Sequence, residues 1–310
     1  MHAKTDGLHY RMTPATWGLL ALLGLIWGGS FFFARIAIQH VPALTLVLLR
    51  VALAALALHI YVFGRHDIYR EFKARWPQFL LLGLINNAIP HTLIFFGQTQ
   101  IGAGLAAILN ATTPVWTVLI ANVLTHDEKL SLAKIAGCLL GLAGTAVLIG
   151  PSALPGLQSG EGIPLWALLF PVIAAISYGF AATYGKRFRG LAAPVSAAGQ
   201  LTASTLIMLP LALAIDTPWR LPTPPITSVV AVLALALIST AYGYILFFRI
   251  MSRAGATNTS LVTLLVPPSA VLLGYLFLGE TLEPTDIAGM LLIAAGLVVL
   301  DGRILPSRRP

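Results

Sequence analysis

The sequence predicts an all-α polytopic membrane protein: ten transmembrane helices in two inverted five-helix repeats. Three observations lead there. Of 310 residues, 57% are hydrophobic and only 10% charged, with a mean hydropathy of +0.86, whereas soluble domains carry about 25% charged residues. The apolar residues fall into runs of about the twenty needed to cross a bilayer as a helix. One phrase near the middle of the chain is also repeated near its end.

The apolar runs place spans at 15–37, 43–63, 77–97, 103–124, 132–150, 165–185, 194–215, 226–248, 256–278 and 286–301. The segment before the first span, with Lys4, Arg11 and Pro14, is too polar for a cleavable signal core, and the first run is as long as a span. It is therefore read as a retained helix. Connections are short. The longest are the basic loop 64–76, the Pro/Gly-rich loop 151–164 and the turn-rich 216–225.

Sorting the 19 Lys and Arg by loop assigns 16 to one side of the membrane: the N-terminus, loops 64–76, 125–131 (with Lys134 just inside the next span), 186–193 and 249–255, and the C-terminus. The other side receives Arg220, and Arg35 and Arg50 lie within spans. Positive loops stay cytoplasmic, so both termini are expected there. Topology thus accounts for the net charge of +8, and nucleic acid is not an expected partner. The one cysteine, Cys138, lies in an apolar run. It supports neither a disulfide framework nor a cysteine metal site.

The repeated phrase is Glu128–Gly150 against Glu280–Gly302, identical without gaps at 12 of 23 positions. Glu128 and Glu280, Leu130 and Leu282, and Gly137 and Gly289 coincide. Upstream, Pro114 and Pro267 stand at similar distances before the shared Glu, and 26–35 faintly matches 177–186. The units are thus 1–150 and 151–310. Five spans per unit force the second to enter the membrane inverted, a plan common in secondary transporters. The charges agree: the connection between the fourth and fifth spans carries Lys129, with Lys134 at the start of the fifth, while its counterpart before the last span carries no Lys or Arg. Glu280, Glu283 and Asp286, and Glu128 in the first copy, are read as carboxylates favouring positive helix N-termini, direct contact with substrate being the alternative.

These features resemble the drug/metabolite transporter superfamily, specifically its tandem EamA-type exporters with ten helices. The resemblance rests on "WGGSF" in the first span and Pro42 followed by Arg50 in the second. It also rests on the Pro114 and Pro267 helices and the E-x-L-x6-G openings at Glu128 and Glu280, and it covers nearly the whole chain. It implies efflux of small metabolites or amino acids from the bacterial cytoplasm, through the inner membrane, by alternating access. Gln200 roughly replaces Arg50 in the second half and Asp127 stands where the family usually has Gly, so the halves are not equivalent.

Polar groups within spans are costly and usually face a bundle interior or a wet cavity. Arg50, the one clearly embedded charge, is either an anchor for a substrate carboxylate or phosphate or a snorkelling residue. Asn87, His91 and Gln98 share one face of the third span, with Asn86 beside it and Pro90 as a bend. That face is a cavity wall or interhelical glue. Pro114 and Pro267 remove helix hydrogen bonds to Asn110 and Thr263, making hinges or freeing carbonyls for substrate. Trp27, Trp116, Tyr178, Tyr184, Tyr242 and Tyr244 are candidates for an aromatic pocket wall, and Ser30 and Gln200 complete the expected binding set. The other tryptophans, Trp17, Trp76, Trp166 and Trp219, fall at span ends, as interface anchors do.

The spans hold no clearly embedded acid, no HExxH-type motif and no serine elbow, so an enzyme is not expected, nor a cofactor or metal. The expectation is a secondary transporter exporting amino acids, aromatic or hydrophobic ones included, or related compounds. Drugs, nucleosides or sugars, or a channel-like facilitator, are the alternatives. Its partners are a small-molecule substrate and the bilayer, and the chain is expected as a monomer, a dimer being the alternative.

Overall fold

A bilayer interior offers backbone groups no water, so apolar runs must satisfy their own N–H and C=O groups by coiling into helices. The computed structural model describes residues 12–125, 130–158, 163–278 and 284–301, and among them every regular element is helical. Glu128, Glu280 and Glu283 lie outside the described residues. Seven helical stretches are long and apolar enough to cross a membrane, joined by shorter apolar helices at Leu132–Val147, Val262–Leu273 and Pro284–Leu300. The chain is a multi-pass membrane protein.

The helix α1 (Pro14–Ala37) starts at Thr13, whose hydroxyl accepts from Thr16 N at 3.2 Å, with Pro14 where its missing N–H is no loss. The helix α2 (Ala43–Val62) has no side-chain cap of its own. Instead Asp216 reaches its first turn, accepting from Thr45 N at 2.7 Å and Thr45 Oγ1 at 2.8 Å, a carboxylate at a positive helix end.

The stretch 64–76, read as a basic loop, is largely helix. The helix α3 (Ile68–Gly83) starts on Asp67, which accepts from Arg70 N, and Glu71 pairs with Arg75 at 3.5 Å. The kink of α3 sits at Arg75 (φ −131°), two residues before Pro77, where a proline cannot donate to the preceding turn. A π-helical turn at Leu84–Ala88 carries α3 into α4 (Ile89–Gln98). The expected fourth span is interrupted between α5 (Ala103–Asn110) and α6 (Thr113–Leu124), just ahead of Pro114.

The remaining helices are α7 (Leu132–Gln158), α8 (Leu165–Gly185), α9 (Ala193–Ile215), α10 (Ile226–Ala234), α11 (Gly243–Ser260), α12 (Val262–Leu278) and α13 (Pro284–Asp301). The helix α7 continues into the segment expected as loop 151–164. A second π-helical segment, Leu235–Tyr242, joins α10 to α11. The boundary expected between the eighth and ninth spans falls within α11, which turns at Gly255 (φ 81°, ψ 176°), a conformation only glycine adopts without strain.

Two packing arrangements position the site. First, α7 and α13 form the most extensive helix pair. A Cβ added to Gly137 would stand 2.7 Å from the Gly296 carbonyl oxygen, and one on Gly144 would stand 2.8 Å from that of Gly289. Residue 137 faces 296 and 144 faces 289, so the two helices run antiparallel. Small residues let backbones approach this closely. Second, α1 packs on α10, α11 and α12, while α8 packs on α4 and α6. The π segments and helix interruptions thus occur at matching places in the two halves.

Candidate substrate cavity

The two π-helical turns are the framework on which the cavity is built. A π turn leaves carbonyls without their usual helical donors, and such turns often sit at functional sites. In the second one, the Ser239 carbonyl accepts from Trp27 Nε1 at 2.9 Å. Thr240 Oγ1 donates to the Leu235 carbonyl at 2.7 Å and accepts from Arg50 Nε at 2.7 Å. In the first, the Ile85 carbonyl accepts from Ser177 Oγ at 2.6 Å. Pro90 has no N–H to offer the Asn86 carbonyl four residues back, and the Tyr244 hydroxyl lies 3.1 Å from that oxygen.

Between these turns lies a cavity whose empty space, its open mouth included, is about 760 Å³. Nine residues expected from sequence line it: Trp27, Ser30, Arg50, His91, Gln98, Asn110, Tyr178, Tyr244 and Thr263. Asn86 also lines it, and so do Phe31, Phe95, Thr113, Phe247 and Ser260, which sequence reasoning missed. Phe95 stands four residues after His91 and three before Gln98, so the same helical period could have found it.

Arg50 is 6% exposed. Its guanidinium carbon lies 5.8 Å from the centre of the Phe95 ring, within cation–π range. It does not snorkel. No carboxylate pairs with it among the described residues, and no acidic side chain lines the cavity. The aromatic wall is built from Trp27, edge-on to Tyr244 at 6.0 Å and 5.8 Å from Phe247, and from His91 between Phe95 and Tyr178. Gly243 makes room for Trp27: a Cβ there would stand 2.7 Å from Nε1. Three lining side chains are buried with polar atoms that meet no partner: His91 Nδ1, both amide atoms of Gln98 and Asn110 Oδ1. A buried polar group left unpaired is costly, so these atoms mark places for water or a ligand.

The other expected residues lie elsewhere. Asn87 is fully buried behind the wall, where its Nδ2 donates to Ser204 Oγ at 2.8 Å and its Oδ1 lies 2.5 Å from the Tyr244 hydroxyl. The physical reason is the π turn. It inserts a residue, so Asn86 rather than Asn87 shares the cavity face with His91. Gln200 is also sealed away, its Oε1 accepting from Asn86 Nδ2 at 2.9 Å. Trp116 Nε1 donates to Thr112 at 3.3 Å. Tyr184 packs near Phe188 and under Arg187. Tyr242 is 46% exposed; two residues from Tyr244 on a helix, it faces away from it. Pro114 lies buried in the first turn of α6 and Pro267 buried inside α12. The Asn110 carbonyl ahead of Pro114 is not left for substrate, because Thr113 Oγ1 donates to it at 2.6 Å.

No group of three or more His, Cys, Asp or Glu side chains able to hold a metal occurs among the described residues.

The family model described as the EamA-like transporter family matches the sequence twice, at residues 15–150 and 165–300. The chain belongs to the EamA-like transporter family. Its two matched segments are tandem repeats and take in every cavity residue named above. The chain is 27% identical over 300 residues to a probable terminal-alkyne amino-acid exporter of Streptantibioticus cattleyicolor, covering 96% of this chain and 97% of that one. It is 26% identical to the uncharacterized inner membrane transporter YedA of Escherichia coli, covering 97% and 96%. It is also 26% identical to a probable amino-acid metabolite efflux pump of Salmonella typhimurium, covering 91% and 93%. One solved crystal structure shares the EamA-like fold with a TM-score of 0.74 at 20% identity, over 95% of this chain and 99% of that one.

Proposed function

We propose that the protein is a secondary transporter that exports small carboxylate-bearing metabolites, amino acids foremost, by alternating access across the bacterial inner membrane. Arg50 carries this reading. A guanidinium fork suits a planar carboxylate, and this one sits in an aromatic cavity with no carboxylate of the protein, among the described residues, to neutralise it. The substrate carboxylate docks on Arg50, its apolar body lies against Trp27, Phe95 and Phe247, and Gln98 and Asn110 meet its second polar group. The names of the Streptantibioticus and Salmonella relatives favour amino acids or compounds made from them.

The architecture behind this mechanism is ten helices in two oppositely oriented repeats, with both termini cytoplasmic. The charge asymmetry of the loops and the antiparallel α7–α13 seam both support it. The interruptions before Pro114 and Pro267 are the hinges on which the halves rock.

Uptake into proteoliposomes across a panel of amino acids, other carboxylates and uncharged nucleosides tests the proposal. Carboxylates should accumulate and nucleosides should not. Arg50→Ala should cut carboxylate uptake ten-fold or more, since hydrogen bonds to charged groups contribute about 1.5–3 kcal/mol. His91→Ala should change selectivity within the panel. If neither substitution alters transport of any solute, the site is misplaced.

A further inference from the structure

Resting on that reading, we infer that the protein is an exchanger: it crosses between its two states readily with an anionic group on Arg50 and poorly when empty. Two observations combine here. Among the described residues, Arg50 is the one Lys, Arg, Asp or Glu in the cavity wall; its hydrogen-bond partner is a threonine hydroxyl, and its guanidinium lies over an aromatic face. A guanidinium does not give up its proton inside a protein, so neutralising it falls to the cargo.

Alternating access requires a state closed on both sides. When a carboxylate occupies the cavity, that state encloses a hydrogen-bonded ion pair. When the cavity is empty, closure must strip water from an unpaired cation, a far costlier burial than that of a paired one. Thr240 supplies a neutral oxygen to Nε only, and among the described residues no other hydrogen-bond acceptor meets the guanidinium. The barrier to the empty return therefore exceeds the barrier to the loaded step. One molecule leaves as another with the same carboxylate chemistry enters.

The test uses the purified full chain in proteoliposomes with radiolabelled L-phenylalanine as the probe. Vesicles preloaded with unlabelled phenylalanine should take up label at least about ten-fold faster than vesicles loaded with buffer, a barrier difference of about 1.4 kcal/mol. Arg50→Gln removes the charge and keeps a donor for Thr240. In that variant the two rates should converge, even as half-saturation rises. Arg50→Lys retains the charge and should retain the preference for preloaded vesicles. Should Arg50→Gln not fold, Arg50→Met serves as the neutral variant, and the wild-type ratio decides by itself. Equal rates in preloaded and empty vesicles for the wild-type protein would overturn the inference while leaving the transport reading intact. An undiminished preference in a folded neutral variant would overturn it too. If phenylalanine shows no flux in either vesicle type, the same comparison is made with the panel's best carboxylate; no flux of any carboxylate would overturn the transport reading, and the inference with it.

Discussion

Arg50 and Thr240, 190 residues apart, meet inside the bundle at 2.7 Å, and the same threonine hydroxyl donates to the Leu235 carbonyl at 2.7 Å. Thr240 is thus a positioning residue: it aims the guanidinium rather than touching cargo. Thr240→Val keeps the shape and removes the hydroxyl. The half-saturation concentration for a carboxylate should rise about ten-fold or more, since a hydrogen bond to a charged group contributes about 1.5–3 kcal/mol. Thr240→Ser should recover most of the loss. Saturation curves for the two variants check this, and equal curves for Val and Ser would remove Thr240 from the site.

The glycine seam makes a second expectation. Alanine at Gly137, Gly144 or Gly296 places a methyl group 2.8 Å or less from backbone of the opposing helix. Each should lower stability by about 1–3 kcal/mol, the usual cost of overpacking. Gly18, on α1, has nothing within 4 Å of an added Cβ, so Gly18→Ala should be neutral or gain up to about 1 kcal/mol from helix propensity. Thermal unfolding in detergent, with the four variants side by side, separates a packing effect from a general intolerance of alanine.

The tyrosines provide a third. Tyr178 lines the cavity and Tyr242 is 46% exposed away from it. Tyr178→Ala should weaken carboxylate uptake several-fold, whereas Tyr242→Ala should leave the half-saturation concentration unchanged. A transport defect in Tyr242→Ala as large as that of Tyr178→Ala would place the substrate on the other face of the π-helical segment Leu235–Tyr242.

The helices were legible because twenty apolar residues in a row have few other fates in a bilayer. The helical turns of 68–76 were not, since hydropathy reads basic residues as loop and does not see that Asp67 caps them and Glu71 pairs with Arg75. The cavity was legible in part. Arg50, His91 and Gln98 stand out as polar residues in apolar surroundings, and Trp27 as a deep aromatic. What failed was register. Asn87 was chosen over Asn86 by counting four residues back from His91, and a π turn makes the step five. Tyr242 was chosen by residue type, although two positions on a helix differ by more than half a turn. Gln200 matched Arg50 by repeat position, but Asn86 already satisfies its oxygen. Sequence pattern shows which residues are unusual; the hydrogen-bond register decides where they point.

Trp27 has one further consequence. Its indole forms part of the cavity wall, is tethered to the Ser239 carbonyl and lies edge-on to Tyr244, while the other five tryptophans do not line the cavity. The protein therefore carries its own optical reporter. A solute that settles beside Trp27 changes the polarity around that indole, so its emission can follow occupancy in real time without any attached dye. Replacing the remaining tryptophans by phenylalanine would leave a single fluorophore at the place where cargo is held.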